Sequence, residues 1–418
     1  MTRVVITGIG VLSPVGNGRE AFWEGLAGGR SGLGPITLFD ASAFPVRIGG
    51  EVKHFDSRAL CRAFPRAVQC RDRKVLLGLE AAGEAIRDCR LPEAEFERAS
   101  LHVGVGLEML HLEDLTAFAH DERIGQAIAA RLPAALGGRL LQTPLDTTAD
   151  ILGDRYGFLG GRSTNCSACA AGAQSVGEAF RRIRRGEVDL ALAGATDSML
   201  NPLGLGGFSL LRVLSAENDA PHRACRPFDA SRQGTALGEG AAFLVLERLD
   251  RAQARGARCY AEILGYGSSM DGFRVSDPEP SGHGAVRSMA AAMAGAGLTP
   301  RQIDGVSAHG TGTPKNDVVE TAAIKEVLGR RAYEVPVHAV KSMTGHMIAA
   351  SGAVEAAAAA LTIWSRCVPP TIHLDTPDPD CDLDYVPGHA RPFSGRTVLS
   401  NSFGFGGQNA TLIFGRPS

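Results

Sequence analysis

Two segments of the chain are built almost entirely of small residues and resemble each other. The first, CAAGAQSVGEA, begins at Cys169, and the second, HMIAASGAVEA, begins at His346. Each follows a strand-like stretch and carries a glutamate nine positions on, Glu178 and Glu355. A helix without a polar side is a buried helix. We therefore expect two similar halves, each placing a reactive side chain at the start of a central helix, with both facing one site.

Short apolar strands alternate with helical stretches along the rest of the chain. The predicted strands are RVVITGIGVLS, LHVGVGL, VDLALAGATDSM, AAFLVLERL, AEILGYGSS, IDGVSAHGT and VPVHAVKS, and the clearest helices are RKVLLGLEAAGEAIRDC and AVRSMAAAMAGAGL. This alternation predicts an α/β protein with largely parallel sheets. The exposed-looking stretch DRAQARGAR predicts a boundary between halves 1–253 and 254–418.

Composition excludes several classes of protein. A formal net charge of -2 gives no reason to expect a nucleic-acid partner. No stretch approaches the roughly 20 apolar residues that span a bilayer, and glycines and a proline break the apolar N-terminus too early for a signal peptide. The nine cysteines are an odd number and mostly isolated, which indicates a reducing compartment. We expect a cytoplasmic protein without a membrane partner.

The N-terminal glycines invite comparison with a dinucleotide-binding loop. Gly8-x-Gly10 would begin the motif G-x-G-x-x-G, but the position of its third glycine is Ser13. The motif therefore fails. We interpret these glycines as a tight turn between strand and helix.

Cys166 and Cys169 have the spacing of a redox dithiol or of half a zinc site. A structural zinc needs four ligands, and the sequence has no second such cluster, so we expect no metal site. A redox or zinc-binding protein remains a weak alternative. Cys169 instead opens a helix, where unpaired N–H groups and the helix dipole favour the thiolate. Cys166 is interpreted as packing beside this nucleophile.

Two histidines and a lysine are the candidate partners of Cys169. His309 follows a strand in SAHGTGTPKND, and His346 begins the second small-residue helix, where the dipole favours its neutral form. Lys341 lies in an apolar setting and needs an acid partner, for which Glu355 is our candidate. Near the C-terminus, NSFGFGGQNATLIF combines glycines and phenylalanines in a pattern that suits a hinged gate.

With these residues the chain resembles the β-ketoacyl-acyl carrier protein synthases of the Cys-His-His class, in the thiolase superfamily. The resemblance runs almost end to end, through TGIGVLSPVG, CSACAAG, RPFDASRQGTALGEGAAFLVLE, HGTGTPKND, KSMTGH, PPTIHLDTPDPDCDLDYVP and NSFGFGG. It implies the thiolase fold, in which two duplicated α/β halves form a five-layered αβαβα core. It also implies a homodimer, or a heterodimer with a second ketosynthase-like subunit.

The resemblance assigns roles to the reacting residues. Cys169 matches the nucleophile that accepts an acyl chain from a thioester. His309 and His346 match the pair that assists decarboxylation of malonyl-carrier protein and stabilises the enolate. The backbone N–H groups of Cys169 and Phe405 match the oxyanion hole, and Lys341 with Glu355 matches a supporting pair.

The same resemblance predicts how substrates are held. No cofactor is implied beyond the phosphopantetheine of the acyl carrier protein that carries the substrates. Thr311 and Thr313 match positions that bind this arm, Phe405 contributes to the substrate site, and Met109 shapes the acyl pocket. The expected gate comprises Asp271, Gly404, Phe405, Gly406 and Gly407. Arg62 and Arg66 are candidate contacts for the acidic carrier protein.

Departures from the family pattern affect the substrate rather than the chemistry. Glu108 stands where a glycine is expected, beside the predicted acyl pocket, and either lines that pocket or faces a partner subunit. Gln233 and Thr235 alter a loop near the gate, and Gln408 replaces a threonine. Fatty-acid elongation and a specialised polyketide or polyene pathway both remain open.

Two alternatives stay within related proteins. A non-catalytic chain-length factor normally lacks the nucleophile, so Cys169, His309 and His346 argue against it. A thiolase-like acyltransferase that does not decarboxylate would need a second cysteine as base near the C-terminus. Cys381, in the acidic and surface-like stretch DPDCDLDY, is a poor candidate for that base.

Overall fold

The computed structural model describes residues 2–108, 110–118, 120–121, 123–136 and 142–417. Within these ranges ten strands run through the main sheet: β1 Val4–Ser13, β2 Ser100–Val105, β3 Arg162–Asn165, β4 Leu190–Ser198, β5 Glu239–Arg248, β6 Ala261–Met270, β7 Gly305–Ser307, β8 Val337–His338, β9 Thr397–Gly404 and β10 Gln408–Gly415. A short strand, Gly16–Asn17, pairs with β1. Two small separate sheets are Leu33–Pro35 with Ile48–Gly50 and Cys367–Val368 with Arg391–Pro392.

Twelve α-helices lie in the same described ranges. They are α1 Arg19–Ala27, α2 Ser57–Ala63, α3 Arg73–Cys89, α4 Ile124–Leu136, α5 Thr147–Tyr156, α6 Ala171–Arg184, α7 Pro202–Leu210, α8 Leu249–Ala254, α9 His283–Ala296, α10 Pro314–Leu328, α11 Lys341–Thr344 and α12 Ser351–Ser365. The sequence prediction for α3 matches its observed bounds.

The strand order shows that the chain is a duplication. Along the sheet the order is β3-β2-β4-β5-β1 in the first half and β6-β10-β9-β7-β8 in the second. Numbered from its own first strand, each half therefore has the order 3-2-4-5-1. Val4–Ile6 of β1 pairs antiparallel with Ala261–Ile263 of β6 and joins the halves. The duplicated α/β architecture is confirmed; the boundary at 253/254 lies within α8 and stays a prediction.

The prediction of largely parallel sheets is wrong, because the sheet is mixed. Strand β2 is parallel to β3 and β4, and β7 is parallel to β8 and β9. The other neighbours along the sheet are antiparallel. Strand–helix alternation predicts parallel pairs only where a helix crosses between the strands. Strands β9 and β10 instead follow each other through a turn of three residues, Phe405–Gly407, and must run antiparallel.

Five layers of secondary structure follow from the helix contacts. Helix α3 packs on strands of the first half, and α9 packs on strands of the second half. Helices α6 and α12 contact each other and strands of both halves, so they form the middle layer. The fold is the predicted αβαβα thiolase fold.

One helical run contradicts the expectation that no stretch could span a bilayer. Ile348–Ser365 has 18 residues and a mean hydropathy of 1.4, which suffices by length and composition. However, 89% of this run is buried inside the molecule. Its apolar character is explained by its place in the middle layer, where neighbouring secondary structure surrounds α12.

The two small-residue segments correspond, but not in the register predicted. Ala168 and Ile348 both adopt left-handed backbone, with φ of 48° and 43°. Each begins a 3-10 turn that leads directly into α6 or α12. This alignment shifts the correspondence by three residues, so His346 stands opposite Cys166 rather than Cys169. Runs of alanine and glycine look alike after a slip of nearly one helical turn, which explains the error.

The middle helices cross where two glycines meet. A Cβ on Gly172 would lie 2.5 Å from the backbone nitrogen of Ala353, and one on Gly352 would lie 2.6 Å from that of Ala173. The two contacts are related by the internal duplication. Glycine at both positions therefore lets the backbones of α6 and α12 touch.

Gly8 and Gly10 do not form a turn. Both lie inside β1, where a Cβ would come within 2.3 Å of the Ala85 carbonyl oxygen or 2.0 Å of the Ala81 carbonyl oxygen. Both carbonyls belong to α3. The glycines therefore let this helix lie directly on the strand.

Candidate active site

The candidate nucleophile lies at a sharp bend before a central helix. Cys169 occupies the 3-10 turn Ala168–Ala170, and its side chain is buried. His346 Nε2 lies 3.1 Å from its Sγ atom. Cys166 is exposed, so the expectation that it packs beside the nucleophile is wrong. The left-handed backbone at Ala168 turns the two cysteines toward different surroundings.

The thiol of Cys169 is uncharged at neutral pH, contrary to the expectation of a thiolate. Burial raises the pKa of Cys169 to about 11, although the N–H of Phe405 and the charge of Lys341 act in the opposite direction. Desolvation penalises the thiolate more than the helix start and these neighbours favour it. The proton must therefore leave as the sulfur attacks.

His346 is held in one tautomer by a serine of the following helix. Its Nδ1 lies 2.9 Å from Ser351 Oγ, and this hydroxyl oxygen accepts a hydrogen bond from the Met347 N–H at 3.0 Å. We therefore assign the hydroxyl proton to Nδ1. Burial and the Lys341 charge lower the pKa of His346 well below its ordinary value, so the ring is neutral. In this assignment its one proton lies on Nε2, which faces Cys169.

His309 is oriented in the same way by a lysine. Lys341 Nζ lies 3.1 Å from His309 Nδ1 and donates to the His309 carbonyl oxygen at 2.6 Å. Burial, Lys341 and His346 lower the pKa of His309 well below its ordinary value. An ammonium can only donate, so Nδ1 accepts and the ring proton lies on Nε2. The His309 and His346 ring centroids are 5.4 Å apart, and both residues line the cavity described below.

The predicted pair of Lys341 and Glu355 is present and fully buried. Lys341 Nζ donates to Glu355 Oε1, and both side chains are about 1% exposed. Burial raises the pKa of Glu355 to about 7, while Lys341 acts to lower it. Lys341 begins the short helix α11, and Glu355 lies one turn into α12. The Lys341 ammonium thus connects α11, on which it lies, to Glu355 of α12 and to His309.

A cavity of about 410 Å³ opens beside the thiol. Its wall brings together most of the predicted site: Cys169, His309, His346, Thr311, Thr313, Asp271, Gly404 and Phe405. The hydroxyl oxygens of Thr311 and Thr313 are 2.9 Å apart. A Cβ on Gly404 would lie 3.0 Å from the Cys169 nitrogen, so this loop passes directly over the nucleophile.

The predicted gate residues contact one another. The N–H of Asp271 donates to the Gly407 carbonyl oxygen at 2.9 Å, and the N–H of Gly406 donates to the Val275 carbonyl oxygen at 2.7 Å. Phe405 stacks on Phe208, with ring centroids 6.0 Å apart. The loops that begin at Gly404 and at Asp271 are therefore hydrogen-bonded to each other, and both line the cavity.

Several predicted residues lie away from this cavity. Arg62 and Arg66 are exposed, and Arg66 is bound by Asp150 and Asp154, which reduces its availability to another acidic partner. Met109 lies outside the described residues. Cys381 is buried itself, although its neighbours Asp380 and Asp382 are exposed as expected, and it is not among the residues that line this cavity.

The departures from the family pattern have different surroundings. Glu108 accepts hydrogen bonds from the Gln142 side chain and from the Leu145 N–H, the latter at 3.2 Å. Gln233 and Thr235 line the cavity, so this loop does reach the substrate space. Gln408 begins β10 opposite Met270, directly after Gly407.

Two buried residues were missed by the sequence analysis. Ser351 orients His346, and Glu320 accepts the N–H groups of His309 and Gly310, both at 2.8 Å. Asn401 also donates to Glu320, at 3.2 Å. In the sequence, the only indication that Glu320 holds the loop of His309 and Gly310 is its position in the helix that follows HGTGTPKND. Ser351 is hidden within a run of small residues that suits packing equally well.

Family models match both halves of the chain. Residues 1–252 match the Beta-ketoacyl synthase, N-terminal domain, and residues 260–375 match the Beta-ketoacyl synthase, C-terminal domain. The chain belongs to the β-ketoacyl synthase family. This family member is similar to the 3-oxoacyl-[acyl-carrier-protein] synthase 2 of a Synechocystis sp., with 40% identity over 99% of this chain and 97% of that protein. The corresponding protein of Coxiella burnetii is 39% identical over 99% and 98% of the two chains.

Solved structures agree with this membership. The ishigamide ketosynthase/chain length factor has a TM-score of 0.87 and 36% identity, and a beta-ketoacyl synthase from Burkholderia phymatum has 0.86 and 32%. A type II polyketide synthase acyl-carrier protein in complex with its ketosynthase gives 0.86 and 30%. All three comparisons cover 100% of both chains. The chain is thus an enzyme of the acyltransferase class with relatives in two kinds of pathway.

Proposed function

We propose that this β-ketoacyl synthase joins an acyl group, loaded on Cys169, to a malonyl group on an acyl carrier protein, giving a 3-oxoacyl-carrier protein. The observation that carries the proposal is the convergence of His346 Nε2 on the Cys169 sulfur, with His309 beside it. A nucleophile and two neutral N–H donors at one end of a cavity suit acyl transfer followed by decarboxylation.

In the first half-reaction the Cys169 sulfur attacks the acyl thioester, and the thiol proton ends on the sulfur of the leaving carrier. The carrier thiol leaves, and a new thioester forms on Cys169. The oxyanion of the tetrahedral intermediate would accept hydrogen bonds from the N–H groups of Cys169 and Phe405. The close approach of Gly404 to the Cys169 nitrogen supports this pairing.

In the second half-reaction a malonyl thioester loses its carboxylate as CO2. The electron pair of the broken bond passes into an enolate, whose oxygen accepts hydrogen bonds from Nε2–H of His309 and of His346. The enolate carbon then attacks the acyl-Cys169 carbonyl carbon, and the Cys169 sulfur leaves. Lys341 and Glu355 keep Nδ1 of His309 occupied, so that its proton stays on Nε2.

The substrates are proposed to enter on a phosphopantetheine arm, without a further cofactor. Thr311 and Thr313 lie in the cavity wall, where their hydroxyls can bind amides of such an arm. Arg62 is the better of the two docking candidates, because Arg66 is held by carboxylates. The pairing of carrier protein and ketosynthase in a similar solved structure supports an acyl carrier protein as partner.

Compartment, assembly, gating and division into halves belong to the same proposal. All nine cysteines are free, which supports a reducing cytoplasm.

The active form is a homodimer or a heterodimer with a second ketosynthase-like subunit. The ishigamide ketosynthase/chain length factor is a similar protein of the second kind. The halves divide at 253/254, and residues Gly404–Gly407 with Asp271 gate the acyl pocket. Fatty-acid elongation and a polyketide or polyene pathway both fit.

Intact-protein mass spectrometry tests the proposal. The protein is incubated with a panel of acyl-carrier proteins, and the expected result is an acyl adduct on Cys169 that Cys169→Ala lacks. Cys169→Gln should stop acyl transfer while malonyl-carrier protein still loses CO2. His309→Ala in the same background should lose that decarboxylation. Condensation by Cys169→Ala would refute the proposal.

A chain-length factor without its own chemistry is the second candidate. The solved ketosynthase/chain length factor raises it, while Cys169, His309 and His346 in one site argue against it. The purified chain alone should load Cys169 if it is the synthase subunit. Absence of any adduct, together with loading of a co-purified subunit, would favour the chain-length factor.

A further inference from the structure

The loop Asp271–Gly282 forms part of the cavity wall and is anchored on two sides. On one side the Val275 carbonyl oxygen accepts the Gly406 N–H at 2.7 Å, which ties the loop to the Phe405 turn. On the other side Asp277 Oδ2 lies 2.8 Å from Lys315 Nζ, which ties it to helix α10. Asp277 and Lys315 both line the cavity that contains Cys169.

The ion pair between Asp277 and Lys315 is accessible to an incoming anion. The Lys315 side chain is 67% exposed and that of Asp277 is 24% exposed. Asp277 has a second cationic neighbour, Arg274, at 3.4 Å, so it keeps a partner if the lysine turns away. A lysine ammonium on a flexible stem can exchange one oxygen anion for another at little cost.

We infer that Lys315 binds the phosphodiester of the phosphopantetheine arm, and that Asp277 holds this ammonium until the arm arrives. The inference rests on the proposed function, because the arm is the substrate carrier named there. Such an arm brings its thioester to Cys169 at one end and leaves its single anionic group at the other. Among the described residues that line the cavity, the cations are Lys315 and Arg212.

Binding of the phosphodiester would also affect the loop. When Lys315 turns to the phosphate, Asp277 loses the contact that ties the loop to α10. The anchor between Val275 and Gly406 then remains, together with the hydrogen bond from Asp271 to Gly407 at the start of the loop, as the connection to the Phe405 turn. An arriving arm thus releases one of these anchors of the loop.

Acyl-pantetheine and acyl-phosphopantetheine, which differ only in the phosphate, test the inference. The measurement is the ratio of their kcat/KM values for loading Cys169, followed by intact mass. We expect wild-type enzyme to prefer the phosphorylated arm by about two- to fivefold, the upper part of the range for one exposed ion pair. Lys315→Gln should bring the ratio to about one, Lys315→Arg should keep it, and Asp277→Asn should raise it.

The matched control is another lysine of the same helix. Lys325 pairs with Asp382 and does not line the cavity, so Lys325→Gln should keep the wild-type ratio. No preference in the wild type, or the same preference in Lys315→Gln, would overturn the inference. Loss of the preference in Arg212→Gln alone would also overturn it. Wild-type protein that loads from neither thioester nor any acyl-carrier protein would contradict the proposed function instead.

Discussion

The Nε2 atom of His346 lies 3.1 Å from the Sγ atom of Cys169, although the two residues belong to different halves of the chain. The halves meet in the middle layer, where α6 follows Cys169 and α12 follows His346. Neither half contains a complete site. Within the described residues, the first half thus contributes Cys169 to the cavity and the second half contributes His309 and His346.

Loss of the Ser351 hydroxyl should weaken malonyl decarboxylation. Ser351→Ala removes the group that directs the proton of His346 to Nε2, so part of the population should take the other tautomer. We expect kcat for decarboxylation to fall about tenfold or more, within the range of general acid–base and donor effects. Nitrogen NMR of the histidine ring should show the change of tautomer directly.

The control for this prediction is another buried serine. Ser288 in α9 donates to the Ala285 carbonyl oxygen and bonds to Thr411, and Ser288 itself is not among the residues that line the cavity. Ser288→Ala should leave decarboxylation and the His346 signals unchanged. An unchanged tautomer in Ser351→Ala would show that Ser351 does not position the ring.

Alkylation of Cys169 should depend steeply on pH. Because burial raises its pKa to about 11, the reactive thiolate fraction rises about tenfold per pH unit between pH 7 and 10. The measurement is the rate of iodoacetamide adduct formation at Cys169, in a Cys166→Ala background, with glutathione as a free-thiol reference. A rate that reaches a plateau below pH 8 would instead mean that the helix start and its neighbours outweigh desolvation.

Removing the charge of one member of the buried Lys341–Glu355 pair should destabilise the protein more than replacing both members with apolar residues. At pH 8, above the pKa of about 7 for Glu355, Glu355→Gln leaves a buried ammonium without its counter-charge. We expect the free energy of unfolding to fall by about 3–5 kcal/mol. The double variant Lys341→Met/Glu355→Leu should recover most of this loss, yet remain inactive because His309 Nδ1 has no donor.

A surface pair provides the comparison for that prediction. Lys325→Met breaks the partly exposed pair with Asp382 and should cost less than about 1 kcal/mol in urea unfolding. If Glu355→Gln costs no more than this, the buried pair is not charged in the folded protein. Recovery of activity by the double variant would show that Lys341 does not orient His309.

The sequence predicted the reacting residues because their chemistry depends on residue type and on position at the end of a strand or the start of a helix. Cys169 and His346 stand at such points, and the structure brings them together. The glycines and phenylalanines singled out the loop Gly404–Gly407 as a candidate gate, yet the flanking strands β9 and β10 were not predicted. Their residues read as a flexible loop because Gly404–Gly407 dominates the pattern of TVLSNSFGFGGQNATLIFG.

Properties set by tertiary burial could not be predicted. The thiolate expected at Cys169 follows from local dipoles, but the pKa is decided by how completely the surrounding chain excludes water. The repeat was found in the wrong register because small residues carry little positional information. Only the left-handed backbone at Ala168 and Ile348 fixes it.

The crossing of α6 and α12 should be the point where a single added methyl group is least tolerated. A Cβ on Gly172 would lie 2.5 Å from a backbone nitrogen of α12, so Gly172→Ala must push the two helices apart. We expect a loss of about 2 kcal/mol or more in the free energy of unfolding, and the same for Gly352→Ala. Because both contacts belong to one crossing, the double variant should lose less than the sum of the two.

The catalytic consequence distinguishes this crossing from ordinary packing. Cys169 lies in the turn that leads into α6, and α12 begins at Ser351. Separating the helices should therefore lengthen the contact between Cys169 and His346 and slow acyl loading. Gly295, in α9, has no atom within 4 Å of an added Cβ. Gly295→Ala should therefore stabilise the protein by about 0.5–1 kcal/mol without changing the loading rate. Equal effects of the Gly172 and Gly295 substitutions on urea unfolding and loading would contradict close contact of the central helices.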